Sequence, residues 1–309
     1  ALMDEAAWGF REALGAIGRS ESLTEEERAE FYWTASTNLA QILAYEGELL
    51  EAAAVLEEFL EMYPDHADAR SGLASYLAMH VVALRDGAEL LADEPAKDSL
   101  LVEAAAIEER VLEQYGALLA MEGVAFEADE YHEMGIGLYE LGSYGEAVEA
   151  FNRALELEPY RAGSLEYLCH ALYQAERYDS LLVASSHLVE RYPANADFMV
   201  LLAHAWRGND DSQRAYEVLQ RREALPFQIA PLTLQGGAIF GELQNRGLEP
   251  GASIEVEFDF YDSGGNVIGR GRLEMPAPAE EEAVPFRVAP EEGLIPGVTG
   301  FTYRVVEPS

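Results

Sequence analysis

The chain has 309 residues, of which 49% are hydrophobic, and its 57 acidic against 20 basic side chains leave a formal net charge of -37. That apolar content excludes general disorder and is enough for two cored domains. The charge excludes nucleic acid and anionic membrane surfaces as partners, since both call for a basic footprint and the longest basic cluster is Arg221-Arg222.

Lys97 is the single lysine and Cys169 the single cysteine, so no internal disulfide can form. No apolar run reaches the roughly 18 residues of a membrane span, so membrane insertion is not expected. The sequence opens on Ala1 with no apolar leader, which favours an exported, periplasmic or extracellular, mature product over a cytoplasmic one. So acidic a surface fits a partner with a basic or apolar face, a salty or cation-rich environment, or solubility alone.

In chain order, a first amphipathic helix is expected around Glu5 to Ile17. A second opens at "TEEE", where Thr24 and Glu27 form a capping box. From there a 34-residue period takes over. Pro159 and Pro193 are one period apart, as are Tyr144 and Tyr178, Tyr139 and Tyr173, and His170 and His204. With Ala128 as position 1, position 8 holds Ala40, Ala74, Gly135, Cys169 and Ala203 in five frames. All are small, because two antiparallel helices approach closely only where one side chain is short. Position 20 supplies the complement as Ala52, Ala147 and Ala215, and Phe151 and Ala154 extend the buried stripe until Pro159 stops the helix.

The units are 33–66, 128–161, 162–195 and 196–225. The unit 162–195 departs at Leu181, Ser185 and Leu188, and the one starting at Ala67 is degenerate, its second-helix slots falling on Asp86 and Asp93. Ala67 and Ala128 lie 61 residues apart, one period plus 27, so an extra helix is expected at 98–121, capped by Asp98.

After "RREALPF" the period changes from helical to alternating. Ile254, Val256, Phe258 and Phe260 share one face, with Glu255, Glu257, Asp259 and Tyr261 on the other, and Ser263 to Asn266 form a hairpin turn. Further strands are expected at Ile229 to Phe240, Val284 to Val288 and Phe301 to Val306. The predicted organisation is a helical solenoid over 1–225 and a small antiparallel β-sandwich over 227–309.

Gly135, Tyr144, Ala147, Phe151, Ala154 and Pro159 resemble the tetratricopeptide repeat family nearly throughout one unit. That resemblance implies helical hairpins with first-helix positions 2, 5, 9 and 12 facing a concave groove. Here these are Asp129, His132, Ile136 and Tyr139, then Gly163, Glu166, His170 and Tyr173, then Asp197, Val200, His204 and Arg207. The groove has no lysine, so the likeness does not extend to the subgroup that clamps C-terminal carboxylates. Separately, "FDFYD" at 258–262 with "GELQNRG" before it resembles the FxLYD domain family, with Phe260 in the leucine position. This second likeness implies an immunoglobulin-like fold, common in bacterial exported proteins and without established catalysis.

No phosphate loop surrounds Lys97, "HEMGI" lacks the second histidine of a zinc helix, and no "GxSxG" elbow occurs. Cys169 falls in a packing slot rather than an activated setting. No cofactor, metal or catalytic residue is therefore expected. Two functions remain: a non-catalytic scaffold gripping a protein partner in the groove, with the sandwich as a second docking or spacer module, or a subunit assembling with its own copies into a filament or surface layer.

Overall fold

The computed structural model describes residues 2–20, 22–121 and 126–306. Among these are eleven helices followed by six strands in two antiparallel sheets, the helical-then-β class expected. The helices are α1 (Leu2–Arg19), α2 (Glu25–Tyr45), α3 (Leu49–Met62), α4 (Ala67–Glu89), α5 (Glu94–Ala120), α6 (Ala128–Glu140), α7 (Tyr144–Leu157), α8 (Ala162–Gln174), α9 (Tyr178–Arg191), α10 (Ala196–Gly208) and α11 (Ser212–Glu223). The strands are β1 (Phe227–Gln235), β2 (Ala238–Asn245), β3 (Ser253–Tyr261), β4 (Val267–Pro276), β5 (Ala283–Val288) and β6 (Gly300–Val305). They belong to two compact units, one built on α1 to α5 with the turn Glu140–Ser143, the other on α6 to α11 and all six strands.

In the first unit the predicted capping box is formed: the Thr24 side chain accepts from Glu27 N–H, and the Glu27 carboxylate accepts from Thr24 N–H at 3.0 Å. The Glu27 carboxyl is accordingly held below its usual range. Where α2, α3 and the start of α4 meet, Tyr32, Trp33, Phe59, Tyr63 and His66 pack ring against ring, with Leu14 and Ile17 of α1 against them. The five small residues of position 8 are all buried, Cys169 included.

A backbone feature that the side-chain pattern did not reveal recurs with them. Position 15 ends the first helix in a left-handed conformation in four units: Gly47 at φ 88°, Gly142 at 80°, Glu176 at 55° and Asp210 at 59°. In the unit from Ala67 the same position is Val81, whose β-branched side chain disfavours that region, and there α4 simply continues. The 61 residues from Ala67 therefore hold one long helix pair, α4 with α5, and not a short repeat followed by an extra helix. The helix expected at 98–121 begins at Glu94, because Asp93 and not Asp98 caps it, accepting from Ala96 N–H at 3.2 Å with Pro95 in the first turn.

The sheet orders are β1-β2-β5 and β4-β3-β6. The alternation read in β3 holds, with Ile254, Val256, Phe258 and Phe260 all buried. Their outward neighbours form a charge ladder: Arg270 reaches Asp259 at 3.1 Å, Arg272 pairs with Glu255, and Arg304 Nε donates to Glu257 at 2.7 Å. Two expectations change. The strand from Ile229 to Phe240 is a hairpin, since Gly236 and Gly237 take φ of 57° and 74° and turn β1 into β2. Tyr261, assigned by alternation to the outer face, is buried, because the register slips between Phe260 and Tyr261 and the ring stacks on Tyr160.

Within the second unit the sandwich is joined to the turns between repeats. Tyr160 and Tyr261 stack with centroids 3.6 Å apart at 7°. Tyr192 Oη donates to the Phe301 carbonyl at 2.8 Å, Ala194 N–H donates to Tyr303 Oη at 3.0 Å, and Ile229 N–H donates to the Ala194 carbonyl at 2.9 Å. Burial raises the hydroxyl pKa of both Tyr192 and Tyr303, so both stay protonated. Gly300 is required here, because a β-carbon on it would lie 2.3 Å from the Tyr160 carbonyl oxygen.

Candidate functional site

The predicted groove residues lie on α6, α8 and α10, and the structure treats them differently along those helices. At the N-terminal end, Asp129 of α6 pairs with Arg161, which also reaches Glu158 at 2.9 Å. His132 sits one turn on. Its Nδ1 shares a 3.0 Å hydrogen bond with Ser164 Oγ, and its ring lies 5.8 Å from those of Phe151 and Tyr167. Burial, then the Arg161 charge, lowers its pKa to about 4, with Asp129 opposing, so the imidazole is neutral at pH 7. A side chain in place of Gly163 would meet this imidazole at van der Waals distance, 3.5 Å.

Further along, Tyr139 meets Tyr144 at 5.5 Å and Tyr167 at 6.1 Å, and His170 meets Tyr167 at 6.5 Å. Tyr173 stacks on His204 at 4.9 Å and 24°, linking α8 to α10. Burial lowers the pKa of His170, and burial followed by the Arg207 charge lowers that of His204. Sequence reasoning missed Tyr167, the ring that ties His132, Tyr139, Phe151 and His170 together. It stands at position 6, which the groove pattern does not count, and its aromatic character was the only available signal.

Two clefts form where the N-terminal ends of these helices meet the sandwich. One, of about 430 Å³, is lined by Asp129, His132, Arg161 and Gly163 on the helical side and by 232–234, 236–237 and 298–301 on the other. Its neighbour, of about 360 Å³, is lined by Glu166 and Asp197 with Tyr192 and Phe198, facing Gln228, Pro231 and Phe301. Burial, then the Asp197 charge, raises the pKa of the Glu166 carboxyl. Among the described residues neither carboxylate has an ion-pair partner, and no group of three or more metal-ligating side chains is present. Tyr139, His170, Tyr173, His204 and Arg207 line neither cleft. Cys169 is fully buried and its thiol pKa is raised, first by burial and then by Glu166, as suits a packing residue.

Stacked helix pairs with small crossing residues and a fixed turn position define a helical-repeat protein. Residues 128–161 match the Tetratricopeptide repeat family. Among solved structures the chain is similar to YrrB, a TPR protein with an unusual peptide-binding site, at 19% identity over 62% of this chain and 84% of that one, TM-score 0.42. It is also similar to MamA, at 12% identity over 62% and 90%, TM-score 0.44, and to MamA from Desulfovibrio magneticus RS-1, at 16% over 64% and 94%, TM-score 0.39. No curated protein matches the sequence. No described helix is long and apolar enough to cross a membrane.

Proposed function

We propose that this protein is a protein-binding scaffold that holds an extended, basic or apolar segment of a partner along the first-helix face of α6, α8 and α10, with the sandwich as the end wall of that groove. The observation that carries the reading is the pair Glu166 and Asp197. Both line one cleft with apolar Pro231 and Phe301, repel each other, and have no cation of their own among the described residues. A lysine or arginine side chain from a partner relieves that repulsion, and its apolar neighbours rest on Tyr173 and His204. The sandwich then acts as part of the binding surface and not as a swinging spacer. We assign no catalytic role to any residue, and an exported location remains part of this proposal.

The test is calorimetric titration with an extended peptide alternating arginine and leucine at physiological ionic strength. The expected result is binding weakened about tenfold by Glu166→Gln with Asp197→Asn, and also by Tyr173→Ala, about 1.4 kcal/mol. Unchanged affinity in both variants would refute the reading, since binding would then follow overall charge alone. The second reading, self-assembly, rests on α11, where Tyr216 and Leu219 are exposed. Light scattering across concentration separates the two, as a constant mass near 34.0 kDa excludes open-ended assembly.

A further inference from the structure

The unit 162–195 departs from its neighbour at two packing slots of its second helix. Leu181 and Leu188, both fully buried, fill the slots that hold Ala147 and Ala154 one unit earlier. A cleft of about 480 Å³ runs along α9. Its floor is Leu165, Leu168 and Leu172 of α8, and its walls are Val148 and Leu155 of α7 and Val183 of α9. Val183, at 60% exposure, is an apolar side chain left in water beside them.

The charge of this cleft runs against that of the chain. No carboxylate lines it, whereas Arg177, Arg191 and His187 do, in a protein with 57 acidic residues. The two clefts beside the sandwich each carry two carboxylates. Among the described residues neither Arg177 nor Arg191 is paired with a carboxylate; Arg191 donates to the Pro159 carbonyl at 2.7 Å and lies 4.5 Å over the Tyr160 ring, which leaves its charge unneutralised. Cleft-facing residues on α9 recur at helical spacing, Ser180, Val183, Ala184, His187 and Arg191, as do Val148, Asn152 and Leu155 on α7, so the walls are two helix ridges with a groove between them.

We infer that the α7–α9 cleft is a second docking surface, which takes an amphipathic helix of a partner protein, its apolar stripe on the leucine floor and its carboxylates on Arg177 and Arg191. An apolar helix face fits a groove between helices, and a partner's carboxylates favour this groove because arginines line it and no carboxylate does. The surface is independent of the first-helix groove and takes a partner of opposite charge.

The probe is a fluorescein-labelled synthetic helix about four turns long, with leucines on one face and glutamates on the other, read by anisotropy. A matched peptide carries arginine for each glutamate. The acidic peptide is expected to bind, and to bind about tenfold more weakly to Val183→Glu and to Arg177→Glu, with Tyr173→Ala unchanged. Both substituted sites are solvent-accessible, and far-UV circular dichroism and melting temperature matching the parent exclude misfolding. No binding of the acidic peptide, equal binding by both variants, or an arginine peptide whose binding is the one lost in Val183→Glu would overturn the proposal. So would loss of a self-associated form in Val183→Glu, which would make a second copy the occupant, or displacement of the peptide by a fatty acid.

Discussion

The stretch that begins at Ala67 and the stretch that begins at Ala128 start alike, each burying a small residue at its eighth position, Ala74 in one and Gly135 in the other. They part at the fifteenth. Gly142 turns left-handed and the chain folds back after 13 helical residues, whereas Val81 stays helical, fully buried, and α4 runs on for 23. The backbone conformation at this one position thus marks whether the stretch is a regular repeat or a long helix pair. The crossing residue does not make that choice, since both stretches bury the same kind there.

The comparison is broken most severely at the crossing itself. Phe151→Ala removes the ring that fills the space over Gly135 and is expected to cost about 3–5 kcal/mol, read as a lower denaturant midpoint for the second unit. Next comes the turn. Gly142→Val imposes on the second hairpin the residue that lets α4 continue, and is expected to cost about 2 kcal/mol, a left-handed conformation being worse for a β-branched residue than the 1–2 kcal/mol typical of L-residues. A smaller change sharpens the same point with the opposite sign. Glu176→Gly relieves the left-handed strain in the third hairpin and is expected to stabilise by about 0.5–1 kcal/mol, seen as a modest rise in melting temperature.

The last test uses pH. The folded state holds the His132 pKa at about 4, below its unfolded value near 6.5, so the unfolded chain takes up the proton first. Its contribution is fully present above pH 6.5 and lost as pH falls towards about 4. His170 and His204 act in the same direction, while Glu166, whose pKa is raised, adds stability at low pH and loses it as pH rises. Melting temperatures measured from pH 7 to pH 5 are expected to fall less in His132→Gln than in the parent.

Much of this architecture was legible in the residues, and the reason is that packing slots are read by size. Ala40, Ala147, Phe151 and Ala154 declare themselves because they match the sizes the repeat uses at those slots, and Thr24 with Glu27 because a cap needs those groups at that spacing. What stayed hidden was conformational. The bend at Glu176 and Asp210 has no glycine to announce it, and the uninterrupted run of α4 rests on Val81 lacking a turn that the period leads one to expect. For the candidate site, the repeat resemblance counted Glu166 and Asp197 among the groove positions of two successive first helices, but nothing in it placed Pro231 and Phe301 opposite them. Those neighbours depend on contacts between segments separated by dozens of residues, where periodicity carries no information.

The hydrogen bonds of Ala194 have a consequence for how such a chain can be divided. Both its amide and its carbonyl are satisfied by residues of the sandwich, Tyr303 and Ile229, and the Tyr192 ring beside it is shielded by Phe301 and Tyr303. A polypeptide ended at residue 226 would keep every helix but leave those two polar groups and that ring without their partners. The point where the sequence changes period is thus a poor place to cut, and the three repeats from Ala128 onward belong with the sandwich in any grafted fragment.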